Sequence, residues 1–245
     1  MSTTAFRFQK PFSVEHLPNH TEDEARALTL LTRNAISRLE SHKVLVPELQ
    51  DDSLAKELIM RVLIASRGVN RVVNNDNYYF RALFNLTAHQ ETRRRLTNLN
   101  VVGVLIEALT VQENPVLIAT LSNLAYEERT KHDIMKQHDG AALFVRLLHS
   151  SDSAVLAHAA RGIFSLTTVY DYKLELAHAG AIDPLITCLA FEPFCEQLAM
   201  NAAGVRCAHR MLAELTPPAH AHMKRPWPTL PFTPKTKSPS SSAAA

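Results

Sequence analysis

Two asparagines and a serine recur at one place in a repeated pattern, and their side chains suit hydrogen bonding better than bond breaking. ALFNLT runs from Ala82 to Thr87, TLSNLA from Thr120 to Ala125 and GIFSLT from Gly162 to Thr167. The polar residue of each copy is Asn85, Asn123 and Ser165, at intervals of 38 and 42 residues. A primary amide donates and accepts at once, and a hydroxyl offers a shorter, weaker version of the same chemistry.

Side chains that catalyse reactions or bind metals form no comparable set. His132, His138, His149, His158 and His178 are scattered over different helical segments, and no HExxH appears. His220-Ala221-His222 lies in flexible text, where such pairs bind metals weakly. Carboxylates are spread singly, and there is no GxSxG, P-loop or GxGxxG element; 6 glycines are too few to build one. Cys188, Cys195 and Cys207 are an odd set without the close paired spacing of zinc sites, and read as buried free thiols in a reducing compartment. The expectation is a protein without catalytic residues, cofactor or metal.

The elements that position the marks keep the same period. Apolar segments VLIEAL (Val104 to Leu109), LFVRLL (Leu143 to Leu148) and PLITCL (Pro184 to Leu189) begin 39 and 41 residues apart. Each unit therefore reads as a short helix, a second helix and a longer third helix that carries the mark. Val116, Ala119, Leu121 and Leu124, then Val155, Ala159, Ile163 and Leu166, fall at three- and four-residue steps and form one stripe. Ala82, Ala119, Ala159, Ala160 and Gly162 would let the third helices approach closely. Gly140 and Gly180 stand where a positive φ ends the preceding helix, and Asn100 takes that place in the first unit. Asn114-Pro115, Asp152 or Ser153, and the Asn74-Asn75-Asp76 cluster supply N-caps. No unit can bury its stripe alone, so stacking makes the core.

Composition agrees with a globular helical chain. Hydrophobic residues at 46% and charged ones at 20% allow one continuous core. A net charge of +2 is too small to imply nucleic-acid or membrane binding. Arg93-Arg94-Arg95, the densest basic cluster, reads as a solvated helix face. No apolar run approaches the roughly 20 residues of a spanning helix, and MSTTAFRFQKPF has no signal core. The expected location is the cytoplasm, with the nucleus or a cilium or cytoskeletal structure as alternatives. The sequons at Asn19 and Asn85 are then chance matches.

NPVLIATLSNLA followed by GAALFVRLL, and AHAARGIFSLT followed by GAIDPLITCL, closely resemble the armadillo repeat. HEAT repeats fit less well, since their units have two helices and lack the glycine punctuation. The resemblance covers residues 52 to 215 and is specific over 76 to 190. It implies an all-α, right-handed α-solenoid of about four units, 52–89, 90–128, 129–169 and 170–215. Residues 21–41 form an N-terminal capping helix; 1–20 are a flexible segment and 216–245 a Pro/Ser-rich disordered tail.

The resemblance also implies a ligand groove lined by the third helices, where the Asn of the pattern bonds the main chain of an extended peptide. Asn85 and Asn123 match, and Ser165 departs. Four residues upstream lie Arg81, Ala119 and Arg161, and four downstream His89, Glu127 and Val169, on the same face if the helix continues. Armadillo nuclear-import receptors carry tryptophan at the upstream position. Trp227 lies in the tail, so this chain does not resemble such a receptor for basic signals. Arg81 and Arg161 instead favour an acidic or phosphorylated segment. The amides have a second use, which is tying neighbouring repeats together.

The expected function is thus a non-catalytic protein-interaction module or scaffold. A structural or assembly factor in a larger complex, using other surfaces, is the alternative, and an enzyme a remote one. In the tail, Pro228 to Pro231 and Pro231 to Pro234 have PxxP spacing, and Thr233-Pro234 and Ser238-Pro239 suit proline-directed kinases. Adaptor domains or kinases are the partners these motifs suggest, and Trp227 and Phe232 could instead fold back into the groove.

Overall fold

The computed structural model describes residues 21–42, 49, 52–67, 76–136 and 140–185. Among these residues every regular element is a helix, so the protein is all-α. In chain order they are α1 (Glu22–His42), α2 (Ser53–Arg67), α3 (Asp76–Leu86), α4 (Gln90–Asn98), α5 (Val101–Val111), α6 (Pro115–Leu124), α7 (Glu128–Lys136), α8 (Gly140–Leu147), α9 (Ser153–Leu166) and α10 (Tyr170–His178). The marks fall on α3, α6 and α9. The expected segments 1–20 and 216–245, the three cysteines, the Asn74-Asn75 cap and most of the unit 170–215 lie outside the described residues.

Local chemistry sets most of the boundaries. Thr21 and Glu24 form a reciprocal capping box, with Thr21 N donating to Glu24 Oε2 at 2.7 Å and Glu24 N to Thr21 Oγ1 at 3.3 Å. Asn114 accepts from Val116 N and Leu117 N with Pro115 in the first turn of α6, and Asp152 does the same for Ala154 N and Val155 N of α9. Asn100 is left-handed, at φ 58°, and Gly180 has φ 89° beyond α10. Gly140 differs from its expected role. Its φ is not positive and it begins α8. Glycine is needed there because a Cβ would lie 1.9 Å from the Ile134 carbonyl oxygen.

The third helix of a unit is not consistently the longest. α9 has 14 residues against 8 in α8, but α6 has 10 against 11 in α5. Residues 112–114 are not helical, and Pro115 then starts α6 late.

Packing divides the helices into rows. α1 packs on α3, α3 on α6 and α6 on α9; α2 packs on α3 and α5, and α5 on α8. The short helices α4, α7 and α10 lean on these rows. One apolar cluster runs from Ala25 to Leu185. Leu117, Ile118, Leu121 and Leu124 of α6 are wholly buried, each burial being worth about 1.5–3 kcal/mol. Gly162 lets α9 close on α8, since a Cβ would stand 2.2 Å from Phe144 Cε1. Among the described residues no helix is long and apolar enough to cross a membrane.

Candidate interaction groove

The row α1, α3, α6 and α9 encloses an open groove of about 460 Å³. Thr29 and Arg33 line it from α1, and Arg81, Phe84 and Asn85 from α3. Pro115, Val116 and Ala119 line it from α6, and His158 from α9. The floor is apolar, and every ionisable side chain on the lining is an arginine or a histidine. Arg33 and Arg81 are exposed, and neither has an ion-pair or hydrogen-bond partner among the described residues.

The polar marks are largely turned toward neighbouring helices. Asn85 Nδ2 donates to Thr29 O and Thr32 Oγ1 of α1, both at 3.2 Å. Asn123 Nδ2 donates to Thr87 Oγ1, just past α3, at 2.9 Å, and its Oδ1 accepts from Arg161 Nη2 of α9 at 2.8 Å. The amides thus have the second use raised by the sequence, as bonds between successive helices. Asn85 still lines the groove, because only its donor side is taken up among the described residues.

Arg161 and Ser165 do not face a ligand as expected. Arg161 donates to Asn123 and, at 3.3 Å, to Ala119 O, while its Nε is buried with no partner among the described residues. Burial lowers its pKa, opposed by the nearby Tyr126. Ser165 is 2% exposed, and its Oγ is likewise buried and unpartnered.

His89, Glu127 and Val169 do not share the groove face, because α3, α6 and α9 end at Leu86, Leu124 and Leu166. His89 caps α4, its Nδ1 accepting from Glu91 N at 3.2 Å. Glu127 pairs with Arg93 Nε at 3.4 Å and Arg94 Nε at 3.5 Å. Val169 is the N-cap residue of α10. The Arg93-Arg94-Arg95 run is correspondingly more than a solvated face. Arg93 Nη1 donates to Thr87 O at 3.0 Å and Ala88 O at 2.9 Å, and Arg95 Nη1 to Leu49 O at 2.6 Å. The first two carbonyls lie just past the end of α3, where backbone acceptors lack helical partners.

Arg33 and His158 are groove residues that the mark-based count missed. His158 lies one turn before Arg161, and α1 carries no copy of the pattern. The His158 pKa is pushed down to about 4, first by burial and then by Arg161, against an opposing effect of Asp152. Neither ring nitrogen has a hydrogen-bond partner among the described residues, while its backbone carbonyl accepts from Ser122 Oγ at 2.7 Å. The arrangement is suited to holding an anionic group over an apolar floor. Among the described residues no group of three or more His, Cys, Asp or Glu is placed to hold a metal ion.

No family model matches the chain, and no curated protein does. Among solved structures it is similar to two crystal structures of engineered proteins from the Northeast Structural Genomics Consortium. One has a TM-score of 0.59 at 18% identity, covering 78% of this chain and 73% of that one. The other has a TM-score of 0.50 at 18% identity, covering 79% of this chain and 89% of its own. At this identity the likeness is one of fold, an assembly of packed helices.

Proposed function

We propose that the protein is an armadillo-type α-solenoid that binds an extended, acidic segment of a protein partner in the groove of α1, α3, α6 and α9. The observation that carries this reading is the pair Arg33 and Arg81, exposed and without partners among the described residues, beside an apolar floor. The three-helix recurrence of the marks supports the repeat architecture. Binding would bury apolar side chains of the segment on Phe84 and Val116 and set its carboxylates against the guanidinia. Asn85, whose amide oxygen has no partner among the described residues, is suited to accept from the main chain of the segment. This mechanism involves no reacting group, and it places the protein among interaction modules or scaffolds.

Helices 8–10 Å apart, bridged by a chain rising about 3.3 Å per residue, leave about three residues for each helix crossed. A peptide with glutamate at every third position and alanine or valine between is therefore the probe. Wild type should bind it in fluorescence anisotropy, and Arg33→Glu/Arg81→Glu should weaken binding at least tenfold. Equal binding by that variant, or equal binding of a glutamine-for-glutamate peptide, would overturn the groove assignment. An assembly role through outer surfaces is the second reading. It draws on the inward use of Asn123, Arg161 and Ser165 and on exposed Leu30, Val111 and Tyr170.

A further inference from the structure

We infer that the part of the groove bounded by Arg33, Arg81 and His158 is a subsite for one carboxylate of the bound segment, and that filling it draws a proton onto His158. The inference rests on the groove being the binding site, and adds to it a ligand group, an assigned residue and a pH dependence.

A charged His158 is disfavoured first by burial and then by the Arg161 cation. It lies partly buried on α9, one turn from the Arg161 cation, in a pocket whose other ionisable lining residues are Arg33 and Arg81. α6 brings no titratable side chain, for Pro115–Leu124 contains none. On α8 the Arg146 guanidinium donates to Leu109 O at 2.8 Å. α10 carries Asp171, Lys173, Glu175 and His178 besides Tyr170 and Tyr172, and among the described residues the carboxylate acting on the imidazole is Asp152, at the start of its own helix. The ring is therefore neutral at pH 7, with nitrogens that no described residue engages.

A bound carboxylate reverses that balance. It places a negative charge between the two arginines and within reach of a ring that then gains from being protonated. The pocket suits a carboxylate better than a phosphate, because Phe84, Pro115, Val116 and Ala119 cover the methylenes of a Glu stem and desolvating a dianion costs more. Proton uptake on binding means that affinity rises as pH falls, between the bound and free values of the histidine. If the carboxylate returns His158 from about 4 to its ordinary 6.5, the complex is about tenfold tighter at pH 5.5 than at pH 7.5. Side-chain carboxylates of the segment, with pKa values of about 4.3, remain ionised throughout.

The test uses the full chain and the glutamate-every-third peptide, with dissociation constants measured at pH 7.5 and 5.5. Wild type should bind about tenfold tighter at the lower pH, and His158→Gln should bring that ratio to about one. In a direct measurement, the His158 ring followed by NMR should titrate near pH 4 alone and near 6.5 with peptide. Peptide binding with a flat pH profile, or a tenfold ratio that survives His158→Gln, overturns the inference and leaves the groove reading standing. Absence of binding overturns both. A phosphoserine version that binds tighter than the glutamate peptide and weakens toward pH 5.5 overturns the carboxylate assignment, since phosphate loses charge near pH 6.

Discussion

Replacing Asn123 by alanine should destabilise the fold by about 2–3 kcal/mol, whatever it does to a ligand. The amide makes two interhelical bonds, to Thr87 Oγ1 at 2.9 Å and from Arg161 Nη2 at 2.8 Å. A neutral side-chain bond contributes about 1 kcal/mol, and one to a charged group about 1.5–3 kcal/mol. Water entering the half-buried site offsets part of that sum, which sets the lower figure. The larger loss belongs to Arg161. Without Asn123 it retains the Ala119 carbonyl at 3.3 Å, with Nε already buried and unpartnered.

Urea denaturation followed by circular dichroism at 222 nm measures the change, provided the transition slope is unaltered. The matched control is Asn85→Ala, which removes two longer, neutral bonds at 3.2 Å from a single nitrogen and should cost about 1 kcal/mol. A double-mutant cycle with Arg161→Met isolates the pair and should return a coupling of about 1–2 kcal/mol. A change below about 0.5 kcal/mol in Asn123→Ala, or a coupling near zero, would refute the bridging role. If the reasoning holds, a variant combining Asn85→Ala and Asn123→Ala loses about 3–4 kcal/mol, a large share of a typical total of 5–15 kcal/mol. Its ligand affinity then has to be measured well below its melting temperature.

Ser165→Ala should be neutral or stabilising by up to about 1 kcal/mol in the same assay, because it removes a buried hydroxyl that lacks a partner among the described residues. Gly162→Ala should lower the thermal midpoint. A Cβ 2.2 Å from Phe144 Cε1 and 2.9 Å from Ser122 Oγ costs about 1–3 kcal/mol, more than the roughly 1 kcal/mol of helix propensity gained; Phe144→Leu in that background should recover part of the loss. Acid should destabilise the fold through His158, whose folded value of about 4 lies below its ordinary 6.5. Between the two the unfolded chain holds more protons, so stability present above pH 6.5 is lost as pH falls toward 4, and His158→Gln should flatten that slope in urea midpoints.

The parts of this fold that depend on short-range chemistry are legible in the sequence. Asn114 and Asp152 cap α6 and α9, and Asn100 and Gly180 take left-handed backbone where a helix has to stop. The ends of the mark-bearing helices are harder to read, because no glycine or proline stands there. Thr87 Oγ1 donates to Phe84 O at 2.6 Å and Thr167 Oγ1 to Phe164 O at 2.9 Å, so hydroxyls satisfy the last carbonyls instead. Counting four residues past each mark then overshoots the helix, which misplaces His89, Glu127 and Val169. The direction of the Asn85 amide is likewise set by Thr29 and Thr32, more than fifty residues away, and a local pattern carries no trace of that distance. Arg33 and His158 escape the same count, since one lies outside any copy of the pattern and the other a turn away from the counted position.

The inward use of the marks bears on how the groove can recognise anything. Stripes of leucine and alanine hold helices together but tolerate sliding, whereas a desolvated hydrogen bond is lost within a fraction of a turn. Each successive pair in the row has such a bond: Asn85 to Thr29 and Thr32 for α1 and α3, Asn123 to Thr87 for α3 and α6. For α6 and α9 there are two, Arg161 to Asn123 and Ser122 to the His158 carbonyl. The register of four helices is thereby fixed by the protein itself, so in the proposed binding mode the ordering cost would fall on the segment alone. The last of these bonds also holds the backbone of His158, so the contact that sets the spacing of α6 and α9 is the one that positions the imidazole in the groove. In the proposed binding mode, specificity would reside in the residues the ladder leaves over, with Arg33 and Arg81 meeting the charge of the segment and His158 responding to it.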